Sequence, residues 1–227
     1  MDYLTNEIVD LYRKLQQTGS SIDNFTKLAI FPTQVGQLYK QCENRMLVIG
    51  RCPNGWNHET YMNSEDSFLQ YLHSSDSCSY IPNLTNSSFW RVTKRVWNEL
   101  FSSSYNDNWR DSLAWTNLYR ITPSVSGNPN NRLCKLQFEI CKKLLELEIK
   151  QLNPTCILAI TGWTGWVDWK ENYTFADLFS DLTECKSEQI NHTGSFNGIP
   201  VVFTNRPERK PETPWVNEVV EAFLNPK

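Results

Sequence analysis

The sequence predicts an α/β protein: a three-layer α/β/α sandwich around a central four-stranded, mostly parallel sheet. Three observations lead to this fold class. Four apolar runs, short enough for buried strands, end close to glycine, asparagine or proline, at 46–49, 113–121, 156–162 and 199–205. Segments with the apolar periodicity of helices lie between them. Parallel strands need such crossovers, and the crossover helices cover both faces of the sheet.

Helices are predicted where apolar residues recur at helical spacing. The longest stripe runs from Phe138 to Leu152, and Pro154 ends it because proline cannot continue a helix. Asn86 or Ser88 is the predicted N-cap of a helix that starts at Phe89. In chain order, the elements around the strands are a helix over 3–17, a polar loop with one short helix over 54–88, a helix over 89–101, a loop over 127–132, a helix from Cys134 to the residue before Pro154 and a final helix over 214–224.

The composition fits a single domain over residues 1–227, with a helical N-terminal extension over 1–43 and a core over 44–224. No apolar run approaches the ~18 residues that suggest a membrane span, and the acidic, amphipathic N-terminus is unlike a signal peptide. We therefore expect a soluble cytoplasmic protein with no membrane partner. The net charge of −3 gives no general attraction to nucleic acid, so such a partner would need a local basic patch.

Metal and cofactor chemistry is not predicted. The seven cysteines are odd in number and lack CxxC or CxxH spacing, which argues against a disulfide framework and against a zinc site. His58, His73 and His192 also lack the spacing of metal ligands. We expect reduced thiols, no metal and no cofactor.

The candidate site is predicted from the segments that leave the strands. Ligands of parallel sheets lie beyond the carboxyl ends of the strands. In this chain the departing segments read RCPNGWN, NLYRITP, GWTGW and NRPERKP. The tips near positions 50, 117 and 205 are therefore expected to meet around one cavity.

Five motifs follow one another along the chain. A Gly-x-x-Pro turn at 50–53 precedes SSFWRVTKRVW at 87–97 and TNLYRITP at 116–123. The segments LLELEIKQLNPTCILAITG and TNRPERKP come after them. In this order the motifs resemble the uracil-DNA glycosylase superfamily, especially its mismatch-specific and thymine-DNA glycosylase branch, over residues 44–224.

The resemblance implies a DNA repair enzyme that flips uracil or a related damaged base out of DNA, duplex or single-stranded, and hydrolyses its N-glycosidic bond. Asn117 would read the base edge, because an amide offers both a donor and an acceptor. Tyr80 or Tyr61 would stack on the base. The other implied residues are Gly50, Arg51 and Pro53 with the catalytic candidates Cys52 and Asn54 in the first turn, Arg206 (catalytic) with Asn205 for the leaving base, and Arg209 and Lys210 for the DNA backbone.

Cys52 stands where members of that superfamily carry Asp, Asn or Glu to handle the attacking water, and a neutral thiol is poorly suited to this task. Asp111 and Asp168 are alternative acids. Two other functions stay open: a catalytically weak or inactive member that binds a flipped base or single-stranded nucleic acid, and a hydrolase with a Cys52–His58 nucleophile pair. Some members bind an iron–sulfur cluster through several cysteines, but Cys42 stands alone near the N-terminus, so no cluster is expected.

Overall fold

A computed structural model describes residues 4–22, 27–56, 70, 72, 86–101, 109–170 and 172–225. Over these residues the protein is mixed α/β, which confirms the predicted α/β class. No helix in this part of the chain is both long enough and apolar enough to cross a bilayer. The helices are α1 (Asn6–Ser20), α2 (Ser88–Phe101), α3 (Asn131–Leu152) and α4 (Glu212–Leu224).

The chain forms two compact units. The first unit comprises Met1–Gln34, Gly50–Ser75 and Thr116–Leu152, and the second comprises Val35–Ile49, Asp76–Trp115 and Asn153–Lys227. The prediction of one domain over 1–227 with an extension over 1–43 stays a prediction. The strands are β1 (Leu28–Ile30), β2 (Gln34–Val35), β3 (Met46–Gly50), β4 (Leu113–Asn117), β5 (Ile121–Pro123), β6 (Cys156–Ala159), β7 (Asp168–Lys170), β8 (Tyr173–Thr174), β9 (Ser180–Glu184), β10 (Ile190–Phe196) and β11 (Ile199–Thr204).

The large sheet has seven strands in the order β2-β4-β3-β6-β11-β10-β9. Strand β6 pairs in parallel with β3 and β11, whereas β10 is antiparallel to both β11 and β9. The predicted count of four strands is therefore too low, although all four predicted strands are present and adjacent as β4, β3, β6 and β11. The three additional strands are β2 at one edge and β10 and β9 towards the other. Strand β2 has only two residues, and half-buried, polar sequences such as INHTGSF in β10 give no apolar run.

The predicted strand over 113–121 is interrupted after Asn117. Leu118 N donates a hydrogen bond to Gly50 O and Tyr119 N donates one to Arg51 O, both at 2.9 Å. The chain then resumes as β5, which pairs antiparallel with β1 in a separate two-stranded sheet of the first unit. The run is therefore buried throughout but contributes strands to two sheets.

Helix α3 begins three residues before the predicted Cys134. Asn130 Oδ1 accepts a hydrogen bond from Leu133 N at 2.9 Å, so Asn130 caps the helix and Asn131 is its first residue. A similar correction applies to α2, because Trp90 N donates to the hydroxyl of Ser87 at 3.3 Å rather than to Asn86 or Ser88. Both helices otherwise match their predicted apolar stripes.

A buried ion pair lies inside the first unit, where α1 packs on α3. Arg120 Nη2 and Glu148 Oε2 are 2.5 Å apart, and both side chains are fully buried. Three hydroxyl groups complete the network. Tyr12 donates to Glu148 Oε1 at 2.7 Å, Thr116 donates to Glu148 Oε2 at 3.1 Å, and Thr33 accepts from Arg120 Nη1 at 2.7 Å. Burial acts to lower the pKa of Arg120, but Glu148 and Tyr12 raise it above its ordinary value, so the guanidinium keeps its charge.

In the second unit, α2 and α4 pack on each other and α4 contacts β11 and β10. Arg91 of α2 joins Glu212 at the start of α4 through an ion pair of 2.6 Å. Beneath α2, the Trp90 ring meets Trp115 of β4 edge-on at a centroid distance of 4.9 Å. Large aromatic areas of this kind hold helices against a sheet.

Candidate functional site

The segment from Gly50 to Trp56, which we call the first turn, leaves the carboxyl end of β3 and belongs to the first unit. Its first two carbonyl groups accept the hydrogen bonds from Leu118 and Tyr119 described above. Asn117 immediately precedes this pairing, so it lies beside the first turn.

Contacts to the segment 122–128 hold the remainder of the first turn. Thr122 belongs to the departing segment NLYRITP, but residues 124–128 were not predicted to take part, because the partners of this segment are about 70 residues distant along the chain. Residues 52, 53 and 54 each form a hydrogen bond to this segment, so the first turn is a supported turn rather than a free loop. Pro53 O accepts from Thr122 Oγ1 at 3.0 Å, Asn54 Oδ1 accepts from Gly127 N at 2.8 Å, and Cys52 Sγ donates to Asn128 Oδ1 at 3.2 Å.

Gly55 is required by the shape of the first turn. Its φ is +72°, in the left-handed region that favours glycine, and a Cβ there would lie 2.9 Å from the backbone oxygen of Val125. Next to it, the buried Trp56 meets the Phe31 ring edge-on at 4.7 Å. The chain can therefore bring the turn this close to Val125 only with a residue that lacks a side chain.

We expect Gly55→Ala to lower the free energy of unfolding by about 2–3 kcal/mol, through backbone strain and the contact with Val125. Gly165→Ala is the matched control, because Gly165 has a φ of +81° but a Cβ at this residue would meet no atom within 4 Å. That substitution is expected to lower the free energy by only ~1 kcal/mol. Urea unfolding of the two variants measures the difference, and equal losses would contradict a close approach at Gly55.

Asn117 ends β4 and is almost fully buried, with 1% of its surface exposed. Its Nδ2 group has no hydrogen-bond partner among the residues that the structure describes. A buried donor without a partner costs about 1–3 kcal/mol, so native proteins rarely keep one without a reason. An incoming acceptor, such as a carbonyl oxygen of a ligand, would satisfy it.

The first turn carries no carboxylate. The half-exposed Cys52 occupies the position predicted for water handling, and its thiol is directed to Asn128. The alternative acids lie in the second unit, Asp111 in the short 3₁₀ helix Trp109–Ser112 and Asp168 at the start of β7. The chemistry available at the first turn itself is therefore that of amides, a thiol and the half-exposed Arg51.

Asn205 lies in the second unit, directly after β11, and its side-chain amide is bonded at both ends. Nδ2 donates to Glu188 O at 3.0 Å, and Oδ1 accepts from Asn191 Nδ2 at 3.2 Å. Its backbone oxygen accepts from Trp215 Nε1 at 3.0 Å. These bonds give Asn205 a structural role that the sequence did not predict.

The predicted basic residues after Asn205 differ in how far they are paired. Arg206 forms an ion pair with Glu208, and Lys210 Nζ donates to Glu188 O at 2.8 Å. Arg209 is exposed and has a φ of +62°. Of these three cations, Arg209 alone has no hydrogen-bond or ion-pair partner in the described part of the chain. The positive patch predicted here is therefore partly neutralised.

Three predicted participants lie outside the described residues. They are the stacking candidates Tyr80 and Tyr61 and the histidine of the thiol alternative, His58. Among the residues that are described, no group of three or more His, Cys, Asp and Glu side chains could hold a metal ion.

Comparison of the chain with protein-family models gives no match, and comparison with curated proteins gives none either. The functional argument therefore depends on the residues of this chain.

Proposed function

We propose that the protein removes uracil or a related damaged base from DNA by hydrolysis of the N-glycosidic bond. The observation that carries the proposal is the buried, unpartnered Nδ2 donor of Asn117 beside the supported first turn. A pyrimidine carbonyl is an acceptor that this donor can bind, and the Asn117 carbonyl can accept from a ring N–H. The position agrees with the role that the family resemblance implies for this asparagine.

The strand order gives further support. Strand β3 has β4 on one side and β6 on the other, so the chain order along the sheet changes direction beside β3. Open α/β sheets bind ligands beyond the carboxyl ends of the strands at such a switch point, and the first turn leaves β3 there. A three-layer sandwich in which helices cover both faces of the four central strands is part of the proposal.

In the proposed reaction, water adds to C1′ of the sugar, the bond from C1′ to the base nitrogen breaks, and the base leaves with the electron pair and takes up a proton. Gly50, Arg51 and Pro53 shape the base pocket, and Asn117 stabilises negative charge that develops on the base carbonyl. Arg209 and Lys210 are proposed to contact the DNA phosphates.

The experiment uses the full chain with oligonucleotides that contain one uracil, in a G·U pair, in an A·U pair or in a single strand. Loss of the base leaves an abasic site, which breaks in alkali and is measured on a denaturing gel. We expect alkali-sensitive breaks at the uracil position and none in thymine-containing controls of the same sequence. Absence of breaks in all three substrates would contradict the hydrolytic proposal.

One observation favours a second candidate, a protein that binds a flipped base or single-stranded nucleic acid without cleaving it. The first turn has no acid, and Cys52 is bonded to Asn128. If this candidate is correct, fluorescence anisotropy will show binding that weakens with salt in the absence of cleavage, and Cys52→Asp will create cleavage activity. The hydrolase based on Cys52 and His58 stays a prediction.

A further inference from the structure

A cavity of about 380 Å³ lies in the first unit, beside the N-terminus of α3. This volume is within the range of about 300–1,000 Å³ that small-molecule sites occupy. Among the described residues, its polar lining consists of four side chains, Lys27, Asn128, Asn130 and Arg132. None of these was predicted from the sequence to take part in a site.

All four polar side chains carry hydrogen-bond donors. Lys27 and Arg132 carry donors only. The carbonyl oxygens of the two amides are already engaged, because Asn130 Oδ1 accepts from Leu133 N at 2.9 Å and Asn128 Oδ1 accepts from Cys52 Sγ at 3.2 Å. The NH₂ groups of both asparagines are therefore left for a ligand, and the ligand must supply acceptors.

The charged side chains that line the cavity in the described part of the chain are both positive. No carboxylate among the described residues lines it, and the N-terminal helical turn of α3 contains no acidic residue. Lys27 and Arg132 are exposed and form no ion pair within the described ranges. The N-terminus of a helix of 22 residues adds partial positive charge from its backbone N–H groups. The occupant that fits these surroundings is an anion.

The remainder of the described lining is apolar. It includes Leu28 and Leu133, which are nearly buried, and Leu136, which keeps 47% of its surface exposed on α3. A bare inorganic anion would leave this surface uncovered. A ligand with an apolar body would cover it and gain the free energy of apolar burial.

We propose that this cavity binds a small organic anion, with a phosphate or carboxylate head held by Lys27, Arg132 and the two asparagine NH₂ groups, and an apolar body against Leu28, Leu133 and Leu136. The site goes beyond the proposed base excision and does not depend on it. Asn128 belongs to both regions, since it lines the cavity and accepts the Cys52 thiol.

Isothermal titration calorimetry with four probes tests the proposal on the full chain. The probes are phenyl phosphate, benzoate, inorganic phosphate and phenol. We expect phenyl phosphate or benzoate to bind at least about tenfold more tightly than inorganic phosphate and phenol. Inorganic phosphate lacks the apolar body of the proposed ligand, and phenol lacks its anionic head. The tighter of the two organic anions identifies the head group. Equal binding of inorganic phosphate and phenyl phosphate, or no binding of any probe, would overturn the proposal.

Charge-removing variants locate the binding. Lys27→Gln and Arg132→Gln should each weaken binding of the preferred organic anion about tenfold, since each removes a charge-assisted contact. Lys94→Gln, which removes an exposed lysine of α2 in the second unit, is the matched control and should leave binding unchanged. Leu136→Ser should weaken binding of the organic anion but not of inorganic phosphate. Full affinity in the Lys27→Gln/Arg132→Gln double variant would place the binding elsewhere and refute the site.

Discussion

Glu148→Gln is expected to lower the free energy of unfolding by about 3–5 kcal/mol, the amount typical of a buried ion pair that loses one partner. The substitution leaves the Arg120 guanidinium fully buried without a countercharge. It also replaces one carboxylate oxygen with an NH₂ group, which donates instead of accepting. The oxygen lost is either Oε2, which accepts from Arg120 and Thr116, or Oε1, which accepts from Tyr12. A loss of this size is a large fraction of the ~5–15 kcal/mol that stabilises a typical protein.

Glu146→Gln is the matched control on the same helix. Glu146 forms exposed ion pairs with Lys143 and Lys150, and the hydrogen bond from Lys150 lowers the pKa of its carboxyl group. Exposed pairs contribute only about 0–1 kcal/mol, so this variant should remain close to the wild type. Urea unfolding, followed by both tryptophan fluorescence and circular dichroism, measures the two variants. Similar losses at positions 146 and 148 would contradict the argument.

The double variant Arg120→Met/Glu148→Met distinguishes two causes of lost stability, an unpaired buried charge and lost packing. Removing both charges should recover much of the stability lost in Glu148→Gln, because no uncompensated ion remains buried. Recovery should be incomplete, since Tyr12 and Thr116 lose the carboxylate that accepts their hydroxyl groups. A double variant that is less stable than Glu148→Gln would show that packing around these side chains dominates.

The long helices and central strands could be predicted because burial there follows a regular period. Every residue of the predicted stripe on α3 is buried, and the four predicted strands are adjacent inner strands of the large sheet. Strand β9 is mostly exposed and β10 is half-buried along most of its length, so both lack that signal. One signal for the hairpin was present: Asn197 and Gly198 both have positive φ and form the two-residue turn that joins β10 to β11.

The sequence also indicated part of the buried ion-pair network. Glu148 lies four residues after Leu144 and four before Leu152, so a carboxylate occupies the apolar face of α3 and needs a buried partner. The sequence does not identify that partner as Arg120, because the pairing depends on tertiary structure. For the same reason, the position of the first turn could be predicted from the end of β3, but its bonds to Thr122, Gly127 and Asn128 could not.

The second large effect is expected at Asn117, where a substitution should lower the activity but leave the free energy of unfolding unchanged or raise it. Asn117→Leu replaces a buried amide whose Nδ2 has no partner in the described structure with an apolar side chain of similar size. Removing an unsatisfied donor in this way is nearly neutral or stabilising. If the donor serves the base carbonyl, uracil release should fall by about 10²–10³-fold, the effect of losing one preorganised donor to a developing negative charge.

Asn205→Leu is the matched control, because Asn205 is an amide of the same kind whose Nδ2 and Oδ1 are both bonded to protein. We expect this variant to lose about 1–3 kcal/mol of stability, since Asn191 and the Glu188 carbonyl lose their partner. Single-turnover assays of uracil release and urea unfolding should be run on both variants. A destabilised Asn117→Leu that releases uracil at the wild-type rate would mean that the amide supports the fold and does not bind the base. If the Asn117 amide binds a ligand, Asn117→Leu should lose activity while its free energy of unfolding stays unchanged or increases.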